Sequence, residues 1–250
     1  MGVVMRIFFS ILKLDFENLF KNPILVGYNT VFPIIFILIM GYLGGGDYAK
    51  MSSVYQYYGI SFMIFGMLEG AMTASNCFME RDIKRANLRI IYSPAGPTAI
   101  WLSKLIASFL FDYLLHILLI IFLCPALHIS IGQNPFPFIL LMAPVEFTSA
   151  ALGIFFCCVF KEEEATSSLL STVISILAFL GGTFFSLDGM GKTVAALSKL
   201  SPVKWMNDTF FALACDNNGS GIIPVVIGCI IISAALMTGS RLLFKTEDYL

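Results

Sequence analysis

Six apolar runs, each close to the length that crosses a bilayer, divide this chain: residues 23–43, 56–79, 98–124, 138–160, 165–187 and 221–244. A hydrocarbon core about 30 Å thick calls for about 20 residues of helix. Backbone groups in lipid must be satisfied within their own segment, so each run is expected to be helical. The composition agrees, with 58% hydrophobic and 12% charged residues, against about 45–50% and about 25% in a soluble domain. The expectation is an all-α membrane protein, one domain over 1–250. It has six transmembrane helices, an N-terminal interfacial amphipathic helix over 1–22, a charged cytoplasmic helix between helices 2 and 3 in segment 80–97, and a short re-entrant outer helix pair over 188–220. Six spans leave no room for a separate soluble domain.

The basic residues orient these spans. With the N-terminus inside, Arg6, Lys13, Lys21, Arg81, Lys84, Arg85, Arg89, Lys104, Lys161, Arg241 and Lys245 fall on the cytoplasmic side. Lys50, Lys192, Lys199 and Lys204 fall outside. The positive-inside rule then puts both termini in the cytoplasm of a multi-pass protein of the cell membrane. The net charge of −1 carries no information about partners, and nothing points to nucleic acid. Asn207-Asp-Thr209 and Asn218-Gly-Ser220 match the glycosylation pattern, but nothing else suggests a eukaryotic secretory host, and a bacterial membrane is expected.

The first 22 residues do not form a signal peptide, because Lys13, Asp15 and Glu17 interrupt the unbroken apolar core that such a peptide needs. They are amphipathic instead. Phe8, Phe9, Leu12, Phe16, Leu19 and Phe20 share one helical face, and Arg6, Ser10, Lys13, Glu17 and Lys21 the other. Such a helix suits the membrane interface. Asn22-Pro23 breaks it and starts the first span. Pro33 is expected to kink that span.

Several motifs lead nowhere. Gly189-Met-Gly-Lys-Thr193 looks like the end of a phosphate-binding loop, but the leading Gly is replaced by Ser186 and no strand precedes it. Glu162-Glu163-Glu164 is expected to be a solvated turn. The six cysteines show no metal-ligand spacing and read as small apolar filler in helices, with Cys215 alone outside.

Four ionisable residues inside spans are more informative: Glu69, Asp112, His116 and Glu146. Such residues are rare in lipid. They form either a structural polar network or the lining of a cavity, and a proton relay is a lesser alternative. With Ser168, Ser171, Thr172 and Ser175, a hydroxyl stripe on helix 5, they are candidates for a translocation path. The stripe equally suits close helix contact. An acidic path would favour cationic or amphipathic cargo.

The densest charge lies in MERDIKRANLRIIYSPAGP, Met79 to Pro97. The stretch can remain helical to Tyr92, and Ser93-Pro94 stops it. Glu80-Arg81-Asp82 with Arg89 and Ser93-Pro94 resembles the coupling loop of the ABC-2 type permeases, the membrane subunits of type V ABC exporters. Leu200-Ser201-Pro202-Val203-Lys204-Trp205-Met206-Asn207-Asp208 is similar to that family's segment before the last span. The resemblance covers essentially the whole chain. It implies a non-catalytic subunit that pairs with a second permease copy, identical or different, and docks on two ATP-binding subunits. No cofactor is expected in this chain; ATP and Mg2+ belong to the partner. The coupling residues would be Glu80, Arg81, Asp82, Lys84, Arg85, Arg89, Ser93 and Pro94, and the outer motif Ser201, Pro202, Trp205 and Asp208. The implied cargo is a drug, an antimicrobial peptide or a lipid-like molecule moving outward. The alternative is a membrane sensor or resistance module that captures such a molecule without transporting it.

Overall fold

The computed structural model describes residues 2–44, 48–79, 97–185, 187 and 190–244. The coupling stretch 80–96, with all eight candidate coupling residues, lies outside them, as do the start of the segment 188–220 and the C-terminal residues 245–250. Among the described residues the secondary structure is entirely helical: α1 Gly2–Lys21, α2 Pro23–Gly44, α3 Tyr48–Met79, α4 Pro97–Leu127, α5 Phe136–Phe160, α6 Glu163–Leu180, α7 Lys192–Ser198, α8 Pro202–Asp216 and α9 Ile222–Leu243.

Five of these, α2, α4, α5, α6 and α9, are long and apolar enough to cross a membrane. The run expected at 56–79 lies in α3, which at 32 residues has the length but a more polar composition. Its position explains this. α3 is the hub of the bundle and packs against α2, α4, α5, α6 and α8. Residues such as Glu69, Thr73 and Ser75 on it are buried against protein and find polar partners on neighbouring helices, so their polarity is met there and not by lipid. The outward faces of α2 and α9, in contrast, carry large apolar side chains, among them Val31, Ile35, Leu38, Ile227 and Ile231.

Local sequence sets the helix ends. Asn22 Oδ1 accepts from the backbone N–H groups of Ile24 and Leu25, capping α2, while Pro23 takes the first helical position, where a missing N–H costs nothing. Pro33 sits inside α2 and buried, and the helix runs through it. Lys161, with a φ of 60°, closes α5, and Glu162 leads directly into α6. α6 ends at Leu180, earlier than the run 165–187 implies, because Gly181-Gly182 follows.

α1 packs along α4 and α2. Its buried stripe is Ile11, Asp15 and Leu19, one turn apart, with Leu12 and Phe16 alongside. Phe9 and Phe20 remain exposed. The apolar face drawn from the sequence is therefore divided, part of it packing on the bundle and part facing out. Asp15, read from the sequence only as an interruption, is on the packed side.

A close backbone-to-backbone crossing joins α3 and α5. A Cβ placed on Gly153 of α5 would strike the carbonyl oxygen of Ala71 on α3 and lie 3.1 Å from the Cβ of Ala74. Small residues at this seam allow backbone-to-backbone approach, the usual device of helix association in lipid.

Candidate functional site

The same principle builds a polar centre on the neighbouring face of α3. Gly66 and Gly70 are one turn apart and leave a notch in that helix. A Cβ on Gly66 would lie 3.0 Å from His116 Nε2, and a Cβ on Gly70 would lie 2.9 Å from Asp112 Oδ2 and 3.4 Å from Glu146 Oε2. α4 supplies Asp112 and His116 from one face, four residues apart, and α5 supplies Glu146. His116 Nδ1 is 2.5 Å from Glu146 Oε1. The three side chains are almost sealed, with exposures of 1% for Asp112, 2% for His116 and 1% for Glu146.

Glu69 does not join this trio directly. It accepts a hydrogen bond from the Tyr28 hydroxyl of α2. Beside it, Asn29 Nδ2 donates to Thr73 Oγ1 at 2.9 Å and to the Leu25 carbonyl at 3.1 Å. Thr73 in turn hydrogen-bonds the Asp112 carboxyl. The chain Asn29–Thr73–Asp112 thus ties α2 to α4 through α3, while His116–Glu146 ties α4 to α5. Asp112 Oδ1, His116 Nε2 and Glu146 Oε2 have no hydrogen-bond partner among the described residues. In the single chain, then, the arrangement is a packed polar network that holds four helices in register.

The hydroxyl stripe lies elsewhere. α6 packs through Thr166, Leu170, Ile174 and Ala178. Ser168, Ser171 and Thr172 are exposed and Ser175 is half-buried. Thr172 Oγ1 donates back to the Ser168 carbonyl at 2.8 Å. The structure therefore separates the candidate path residues into a sealed interior group and an outward group.

The outer motif has a structural account. Ser201 Oγ accepts from the Val203 backbone N–H, capping α8, and donates to the Leu177 carbonyl of α6 at 2.8 Å. Pro202 occupies the first turn of α8. Asp208 pairs with Lys204 at 2.6 Å, and Trp205 is more than half exposed. Asn207, between them, donates to the Gly181 carbonyl at 2.8 Å and to Thr183 Oγ1 at 3.2 Å. α7 and α8, at 7 and 15 residues, are both shorter than the roughly 17 residues a span needs.

Sequence reasoning missed Tyr28, Asn29 and Thr73, which look like ordinary span residues, and the glycine notch. The Gly66-x3-Gly70 spacing was the available signal. It also missed an ion pair between α1 and α4. Lys104 Nζ lies 2.9 Å from Asp15 Oδ1, and Ser103 Oγ donates to Asp15 Oδ2 at 3.0 Å. Lys104, counted from sequence among the cytoplasmic charges, is 1% exposed.

An all-helical bundle with five helices able to cross a bilayer and a buried polar network in its interior defines a multi-pass membrane protein. The family model of the ABC-2 type transporter matches residues 6–214, and the chain belongs to that family. It is a transporter permease, a membrane component of the ABC class. No curated protein matches the chain.

Proposed function

We propose that this chain is the permease subunit of an ATP-driven exporter that moves an amphipathic molecule (a drug, an antimicrobial peptide or a lipid-like compound) outward across a bacterial cell membrane. Two permease copies, identical or different, pair around the pathway, and two ATP-binding subunits, carrying ATP and Mg2+, dock below. α3 is then the sixth span, both termini are cytoplasmic, and segment 80–97 is the surface on which the motor pushes. α1 lies in the cytoplasmic interface, and α7 and α8 form the outer re-entrant pair.

The observation that carries this reading is the direction of the α6 stripe. Ser168, Ser171 and Thr172 turn away from their own bundle. Thr172 satisfies its hydroxyl on the Ser168 carbonyl, but a stripe of small and hydroxyl residues on an outward face is the kind of surface on which membrane helices associate closely. A paired arrangement gives that surface a partner. The Asp112–His116–Glu146 network then serves as the stiff core against which α6 moves, rather than as the wall of the path.

Gentle extraction from native membranes tests the reading. An ATP-binding subunit should co-purify with the chain, and an Arg81→Glu/Arg85→Glu variant should lose most of it while still reaching the membrane. Failure of any ATP-binding subunit to accompany the wild-type chain would refute the proposal.

A further inference from the structure

We propose that the cleft beside α8 binds a protonated organic amine with an apolar body, at a site distinct from both the sealed network and the outward face of α6. The cleft has a volume of 380 Å³, within the range of small-molecule sites, roughly 300–1,000 Å³. It lies at the end of the bundle where α3 starts and α6 finishes, opposite the end that leads to segment 80–96.

One whole face of α8 turns toward this space. Lys204, the adjacent pair Asn207 and Asp208, then Phe211 with Ala212 and Cys215 with Asp216 recur along it once per helical turn, so they line a single side of the helix. Tyr57 of α3 and Gly181-Gly182 also border the cleft. The Tyr57 hydroxyl donates to the Gly182 carbonyl, which fixes the ring. That ring stacks on Phe211 with centroids 5.4 Å apart and planes 23° from parallel. The pair offers a flat aromatic surface with an electron-rich face, suited to an apolar body and to a cation near it.

The polar groups decide the sign of the ligand. Lys204 and Asp208 neutralise each other at 2.6 Å. Asp216 is left at the last residue of α8, where the helix's own carbonyl end adds negative potential. The cleft is thus negative at one end and apolar in its middle. Asn207 supplies the specific contact. It is 3% exposed, both of its donor bonds go to the α6 side, and its Oδ1 has no partner among the described residues. A buried acceptor without a donor is unfavourable until a donor arrives. An N–H group on a cationic ligand meets that demand. A carboxylate or phosphate would be repelled by Asp216, and a neutral alcohol could donate to Asn207 Oδ1 but would lack the positive charge that Asp216 and the aromatic face favour.

Cys215 provides a reporter, because it also lines the cleft and is exposed. The purified full-length chain, in a Cys124→Ser background, is alkylated with uncharged N-ethylmaleimide in the presence of phenethylammonium or of the isosteric phenethyl alcohol. The amine should slow alkylation of Cys215 saturably, with an apparent Kd about tenfold or more below that of the alcohol. Phe211→Ala and Asp216→Asn should each weaken the amine's protection by about tenfold. Asp216 is exposed, so its variant keeps the fold, and equilibrium dialysis of labelled phenethylammonium provides a second measurement on the same variants. Equal protection by amine and alcohol, or protection unchanged by both substitutions, overturns the proposal. The assay needs neither transport nor an ATP-binding partner, so its failure is distinguishable from failure of the exporter reading.

Discussion

Lys104 and Asp15 meet at 2.9 Å across 89 residues of sequence, with both side chains withdrawn from solvent. The contact makes α1 part of the bundle and not a helix merely resting beside it. Removing one partner strands the other charge in an apolar site, which costs about 3–5 kcal/mol for a buried pair. Lys104→Ala should therefore lower the unfolding temperature of the detergent-solubilised protein sharply. The double variant Asp15→Asn/Lys104→Met should recover most of the loss, since no charge is left unpaired. A double variant as unstable as the single one would show that the ion pair is not the source of the effect.

The Gly70 notch yields a second expectation. A side chain there must displace Asp112 and Glu146, whose oxygens already lie 2.9 and 3.4 Å from where a Cβ would sit. Overpacking a close-packed interior costs about 1–3 kcal/mol. Gly70→Val should fall in that range by thermal unfolding, whereas Gly228→Ala on α9, with nothing within 4 Å of a new Cβ, should be nearly silent.

Ser201 has two duties, as the cap of α8 and as a donor to Leu177. Ser201→Ala should cost about 0.5–2 kcal/mol, the usual loss for an N-cap. Ser201→Asp should restore the cap without restoring the donated bond. Hydrogen exchange at the first turn of α8 distinguishes the two contributions: a cap-only role predicts full protection in the Asp variant.

These contacts show how much the sequence disclosed. Five of the six expected runs were legible as spanning helices because lipid demands continuous apolar helix, and Asn22-Pro23 marked the start of the first; the run at 56–79 lies in the more polar α3, and α6 stops at Leu180, before Gly181-Gly182, well short of the expected 187. The ionisable residues Asp112, His116 and Glu146 stood out because they are expensive in lipid. Their partners did not. Tyr28, Asn29 and Thr73 are unremarkable alone, and only the packing of α2 on α3 reveals them as part of the network. α1 failed to resolve for a similar reason. Asp15 shares the periodicity of Ile11 and Leu19, but a charge on an apolar stripe is understood only once Lys104 is seen opposite. The stripe on α6 was found, but its periodicity could not tell inward from outward.

Cys215 gives a prediction in pH. Partial desolvation raises its thiol above the ordinary range although the residue is exposed, the neighbouring Asp216 carboxylate raises it further, and a hydrogen bond with Gln56 works in the opposite direction. The thiolate is the reactive form, so alkylation near neutral pH should be slower than that of a free thiol and should climb as pH rises toward and past the usual cysteine range. In Asp216→Asn the same profile should move to lower pH. Stopped labelling followed by intact-mass measurement reads both, and an unshifted profile would remove Asp216 from the account.

The position of α3 carries a consequence for how the molecule is made. A helix with Glu69, Thr73 and Ser75 along its length gains little by entering hydrocarbon alone, because each of these polar groups finds its partner on another helix. Those partners come from both sides of the chain: Tyr28 and Asn29 are synthesised before α3, while Asp112 and the small face of α5 come after it. The first hairpin must therefore remain loosely held during synthesis, with α2 sheltering one side of α3 until α4 and α5 arrive to close the other. Biogenesis is then a single cooperative closure around the centre, and a ribosome stalled after Met79 would leave the hub of the protein half wrapped.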